Sequence, residues 1–170
     1  MNNRVLIDIF VRYILVFIFG LGNLFIFYFL LTPITINAIY FILGLFGNVV
    51  LESGVFYFNG FDFNLIEACV AASAYYLLFV LIMIVKDLNW KKRVFMILSG
   101  FGMLFILNIV RILVLVGMYW SVYFDAVHWW LWHVFSILFV VGIWFLLIKL
   151  FNVKSTPFWD DFKFIKSLKN

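Results

Sequence analysis

Cys69, Arg111, His128 and His133 are residue types that could together do covalent chemistry. A thiolate is a strong nucleophile, and a nearby guanidinium favours the thiolate over the thiol. An imidazole can deliver a proton to a leaving group, and an arginine can hold an oxyanion. Cysteine, acid/base and oxyanion donor together are the parts of covalent acyl transfer. Each residue also has a plainer reading. A lone cysteine at a helix start is often a small packed hydrophobe. An arginine in an apolar stretch can snorkel to headgroups, and a histidine among tryptophans can sit at an interface with one nitrogen in water.

The setting favours a site. An arginine within an apolar span costs a few kcal/mol, so it is a functional candidate by default. Zinc is a poor reading, because one cysteine and two histidines have no HExxH or CxxC spacing to organise them. No cofactor is called for. Two other classes remain open: a non-enzymatic membrane subunit, in which Arg111 pairs with a carboxylate of a partner, and a small transporter built on Arg111. A transporter would be expected to carry an inverted repeat, and no repeat is evident.

The elements that must position these residues are apolar helices. At 170 residues, 68% hydrophobic and 12% charged, the chain lies far from the composition of a soluble domain. The expectation is an all-α integral membrane protein: one domain, 1–170, with about four to five transmembrane helices and a short extracytoplasmic β-hairpin before the cysteine helix. Spans are expected at 13–31, 68–85, 94–116 and 131–151, each near the roughly twenty residues needed to cross hydrocarbon. Thr32 and Pro33 are read as the stop of the first span, and 34–50 as an outer-leaflet or re-entrant helix. Asn59-Gly60 between aromatic runs is a hairpin signal. Alternation of Phe61, Phe63 and Leu65 with Asp62 and Asn64 suits a ribbon with one face on the membrane. Small residues from Ala68 to Ala74 permit close helix approach. The tail, 154–170, reads as a short helix on the cytoplasmic membrane surface.

The net charge of +4 does not indicate nucleic acid, because the basic residues flank spans rather than forming a stripe. Lys86 to Arg93 is the strongest orientation marker, since basic loops stay cytoplasmic. Lys86 to Cys69, and Val94 to Arg111, each rise about 25 Å at roughly 1.5 Å per residue. Both residues are thus expected near the outer leaflet at one depth. The chain is expected in the cell membrane, multi-pass, with its site facing the extracytoplasmic side.

The blocks EACVAASAYYLL around Cys69, NIVRI around Arg111 and FDAVHWWLW around His128 resemble, in order and spacing, the signature blocks of the archaeosortase and exosortase family. The ACxAxSAYYLL form is similar to the archaeal branch. The likeness runs from about Thr32 to the C-terminus. It implies a membrane-embedded cysteine transpeptidase or protease that processes the C-terminal sorting signals of secreted proteins. Its partners would be those sorting-signal helices, with a membrane lipid as acceptor. Carried onto this chain, the resemblance makes Cys69 the nucleophile, Arg111 the transition-state or thiolate stabiliser and His128 the acid/base. Asn108 belongs to the same NxxR block. His133 competes with His128 on depth alone. His128 is preferred because its spacing after Phe124-Asp125 is what resembles the family, and because it is expected before the helix, nearer water.

Overall fold

The computed structural model describes residues 3–85 and 88–153. The expected surface helix of the tail lies outside them. The described chain is mostly helical. Five helices exceed ten residues: α1 (Asn3–Gly20), α2 (Phe25–Gly44), α4 (Ala72–Ile84), α5 (Trp90–Gly117) and α7 (Ser136–Leu150). Shorter pieces complete the order: strands β1 (Val49–Glu52), β2 (Val55–Phe58) and β3 (Phe61–Asn64), helix α3 (Glu67–Val70), helix α6 (Phe124–Trp130), and a π-helical turn, Leu131–Phe135, between α6 and α7.

Three helical stretches, Phe25–Gly44, Trp90–Gly117 and Phe124–Leu150, are long and apolar enough to cross a membrane. They make this a multi-pass membrane protein. Large apolar side chains such as Phe17, Phe29, Phe41, Phe95, Leu98, Ile106 and Phe145 remain exposed around the bundle. In water that surface would aggregate; in hydrocarbon it is solvated.

Helix α4 lies at the centre and packs against α1, α2, α5 and α7. Its Tyr75, Leu78, Phe79 and Ile82 repeat at helical spacing and are all buried, joined in one core by Phe27, Met96, Leu104, Val140 and Leu147. A second cluster joins Ile39 and Leu43 of α2, Ile109 and Ile112 of α5, and Phe56 and Phe58 of β2.

The first span is not the expected one. Helix α1 ends at Gly20, and successive positive φ angles at Gly22 (64°), Asn23 (54°) and Leu24 (63°) break the chain before α2 begins. The break is packed tightly, for a Cβ at Gly20 would stand 2.5 Å from Tyr76 Oη. That hydroxyl donates to the Val16 carbonyl at 3.2 Å, so a helix end freed by the break is partly satisfied. The stop expected at Thr32-Pro33 is absent. Pro33 lies inside α2, and the buried Thr35, Ile39 and Leu43 beyond it repeat at helical spacing. Residues 34–44 are therefore the second half of that helix, and Val49-Val50 start a strand. The second expected span, 68–85, is also divided: α3 and α4 meet at Ala71, which has φ 58°.

The hairpin signal is real but incomplete. The sheet is a three-stranded antiparallel meander. Val55 to Phe58 pairs on one side with Val49–Glu52 and on the other with Phe61–Asn64. Asn59 and Gly60 (φ 47° and 88°) make one two-residue turn, and Ser53 and Gly54 (51° and 86°) make the other. Positive φ at both central positions gives the turn whose twist suits paired strands. Aromatic residues of the sheet pack on the bundle: Phe56 is wholly buried, and Phe61 stacks on Tyr119 at 4.5 Å between centroids.

Two cations expected to flank spans are buried instead. Arg93 Nη1 donates to the carbonyls of Ile82 and Met83, both at 2.9 Å. Arg12 Nη1 reaches those of Met83, Ile84 and Val85 at 3.2 to 3.3 Å, and its Nε lies 3.1 Å from Asp8. Positive charge thus meets the carbonyl end of the central helix, where the last turn has acceptors to satisfy. Arg93→Leu should destabilise the protein by about 3 kcal/mol, the scale of losing hydrogen bonds from a charged donor. Thermal unfolding in detergent measures it, and an unchanged midpoint would show that the cap contributes nothing.

Candidate functional site

The cysteine sits at a kink. Helix α3 ends one residue after Cys69, and Ala71 adopts the left-handed conformation before α4 starts. A non-glycine residue there costs about 1 kcal/mol or more, so neighbouring contacts must hold the turn. Two donors from α5 do so: Asn108 Nδ2 and Arg111 Nη2 both donate to the Cys69 carbonyl, at 2.9 and 3.1 Å. The residues matched in depth by counting helical rise therefore meet, main chain to side chain.

Arg111 also ties in the last span. Its Nη1 donates to Ser136 Oγ at 3.1 Å, and that hydroxyl donates to the Leu131 carbonyl at 3.1 Å. The acceptor is five residues back, at the start of the π-helical turn, where wider winding frees a carbonyl. One guanidinium thereby connects α3, α5 and the start of α7. It is 7% exposed, so the snorkelling conformation is not the one adopted.

Cys69 and His128 share a cleft of about 150 Å³. Its walls are Phe63 and Asn64 at the end of β3 with the following Leu65 and Ile66, the C-terminal part of α5, and Phe124 at the start of α6. Cys69 is partly buried and free. His128 lies within α6 rather than before a helix, and it packs against the Phe124 ring at 5.8 Å. Asp125, one turn earlier and exposed, forms no hydrogen bond or ion pair with the imidazole among the described residues.

Arg111 does not line that cleft. It faces a separate groove between α4 and α7, together with Ala71, Ser73, His133 and Ser136. His133 is exposed and stacks on Trp129 at 4.7 Å, with Trp132 edge-on at 4.8 Å. Its Nδ1 lies 3.0 Å from the Trp129 carbonyl. A carbonyl only accepts, so Nδ1 carries the proton. The histidine is thus held by its own helix rather than by a neighbouring one.

The structure brings Cys69 to His128 through a cleft and to Arg111 and Asn108 through its carbonyl, and it sets His133 apart on the other side of the kink. Sequence reasoning missed Ser136 and Tyr75. Ser136 is a lone hydroxyl in an otherwise apolar helix, and that was the available signal. Among the described residues no cluster of His, Cys, Asp and Glu could hold a metal ion. No match to this chain is found among protein-family models, curated proteins or solved structures.

Proposed function

We propose that the protein is a membrane-embedded cysteine transpeptidase or protease of the archaeosortase/exosortase kind, working on the extracytoplasmic side of the cell membrane. Its substrates are the C-terminal sorting signals of secreted proteins, and a membrane lipid takes the released acyl group. The observation that carries the reading is the shared cleft of Cys69 and His128, with the cysteine turn clamped from behind by Asn108 and Arg111.

In this reading Cys69 Sγ attacks the scissile carbonyl, a C–S bond forms and the C–N bond breaks, and His128 passes a proton to the departing amine. Arg111 keeps the nucleophile's turn in place and puts positive charge beside it. Engagement of Arg111 with Cys69 and Ser136 weighs against a partner's carboxylate as its counterpart. Transfer to a lipid follows when a hydroxyl or amine of the acceptor, deprotonated by the same imidazole, attacks the thioester; the C–S bond breaks and the imidazolium returns its proton to the departing Cys69 sulfur.

The test is the side and reactivity of the thiol. A membrane-impermeant thiol reagent applied to intact cells should label Cys69, the only cysteine. Labelling only after permeabilisation would reverse the orientation and remove the extracytoplasmic mechanism.

A further inference from the structure

A second, much smaller cavity lies behind the clamp, lined by Ala71, Ala74, Tyr75, Asn108, Arg111 and Ser136. Two of its lining residues each carry a buried polar atom with no hydrogen-bond partner among the described residues: Tyr75 Oη and Asn108 Oδ1. The residues themselves are 1% and 6% exposed. The amide cannot be turned to relieve this, because Oδ1 would then face the Cys69 carbonyl, acceptor against acceptor. With Nδ2 on that carbonyl, Oδ1 is bound to point away from it.

The room is about 20 Å³, above the roughly 10–15 Å³ that one water molecule requires and far below what a larger ligand needs. The chemistry of the wall selects the same occupant. An anion would meet the amide oxygen and a cation would meet Arg111, whereas water donates to one partner and accepts from the other.

We infer that this cavity is a built site for one buried water, which accepts from Tyr75 Oη and donates to Asn108 Oδ1. Tyr75 is through it a positioning residue for the clamp on Cys69. Tyr75 is on α4 and Asn108 on α5, so the water links the helix that follows the cysteine kink to the helix that carries the clamp. It fixes the amide with its Nδ2 toward Cys69. Ser136 Oγ, already accepting from Arg111, stands at the same cavity and offers the water a further acceptor. The inference rests on the geometry of the clamp and stands whether or not the proposed chemistry is right.

An experimental structure of the full chain in a lipid nanodisc, at a resolution that shows ordered water, tests it directly. Density for one water between Tyr75 Oη and Asn108 Oδ1 is expected. A direct bond between the two groups, or a dry cavity, would overturn the inference. Tyr75→Phe tests the positioning role. The folded-to-unfolded ratio should fall by about fivefold, as for one hydrogen bond, and the alkylation rate of Cys69 should change because its turn is loosened. Phe79→Leu, a packing change elsewhere in the same core, should leave that rate as it is. Equal alkylation rates for wild type and Tyr75→Phe would remove Tyr75 from the clamp. If the variant does not fold, the wild-type density alone decides.

Discussion

Cys69→Ala should abolish processing of a co-expressed secreted protein that ends in a short motif, an apolar helix and a basic tail. Loss of a covalent nucleophile lowers turnover on the order of a millionfold, so the uncleaved precursor alone should appear on a gel. The substitution is a clean one for a structural reason. Asn108 and Arg111 hold the main-chain carbonyl of residue 69, which alanine keeps, and the thiol itself is only partly buried. The turn, the cleft and the membrane insertion should therefore survive, and protein level in the membrane fraction verifies it. Processing at the wild-type rate in Cys69→Ala would eliminate the covalent mechanism and favour a non-enzymatic subunit.

What the sequence made legible was whatever depends on rise per residue and on local turn chemistry. Helical rise is nearly constant, so counting from a basic loop placed Cys69 and Arg111 at one depth, and a hydrogen bond of 3.1 Å now joins them. Asn59-Gly60 announced its turn because both residues tolerate positive φ. Ser53-Gly54 makes the same turn with a less telling pair, and the first strand was hidden in an apolar run taken for helix. In a membrane protein the apolar pattern carries little periodicity, since lipid-facing and core-facing residues are alike. Nothing there separated the break at Gly20 to Leu24 from the continuous helix at Pro33. The π-helical turn was illegible for the same reason. Arg12 and Arg93 looked like span-flanking cations because composition cannot show that a carbonyl-rich helix end lies within reach.

The kink at Ala71 divides the surroundings of the cysteine in two, and the division bears on which imidazole acts. On one side is the cleft with Cys69 and His128; on the other is the groove with Arg111, Ser136 and His133. In a uniform α-helix five residues turn through about 500°, which already separates the two histidines by some 140°. A π-helical turn begins between them at Leu131 and contains His133. The two side chains open on different cavities.

His128→Ala should therefore lower processing on the order of a hundredfold to ten-thousandfold, the range for a positioned acid or base, while His133→Ala should leave substantial turnover. Geometry comes first in this expectation. A proton carrier must come within about 2.6 to 3.2 Å of the thiol or the departing amine, directly or through one water, and His128 is the imidazole that opens on the thiol's own cleft. His133 is held by the carbonyl of Trp129 and the faces of Trp129 and Trp132. Its loss should cost interfacial packing rather than chemistry. Since Asp125 makes no bond to His128, Asp125→Asn should behave like wild type in the same assay, whereas an aspartate-oriented imidazole would lose activity with it. Single-turnover processing in membranes, with precursor and product resolved on a gel, measures all three variants side by side. A null His133→Ala beside an active His128→Ala would move the acid/base role into the groove. The reactive thiol would then have to reach it past the kink at Ala71, on the same face as Arg111 and Ser136.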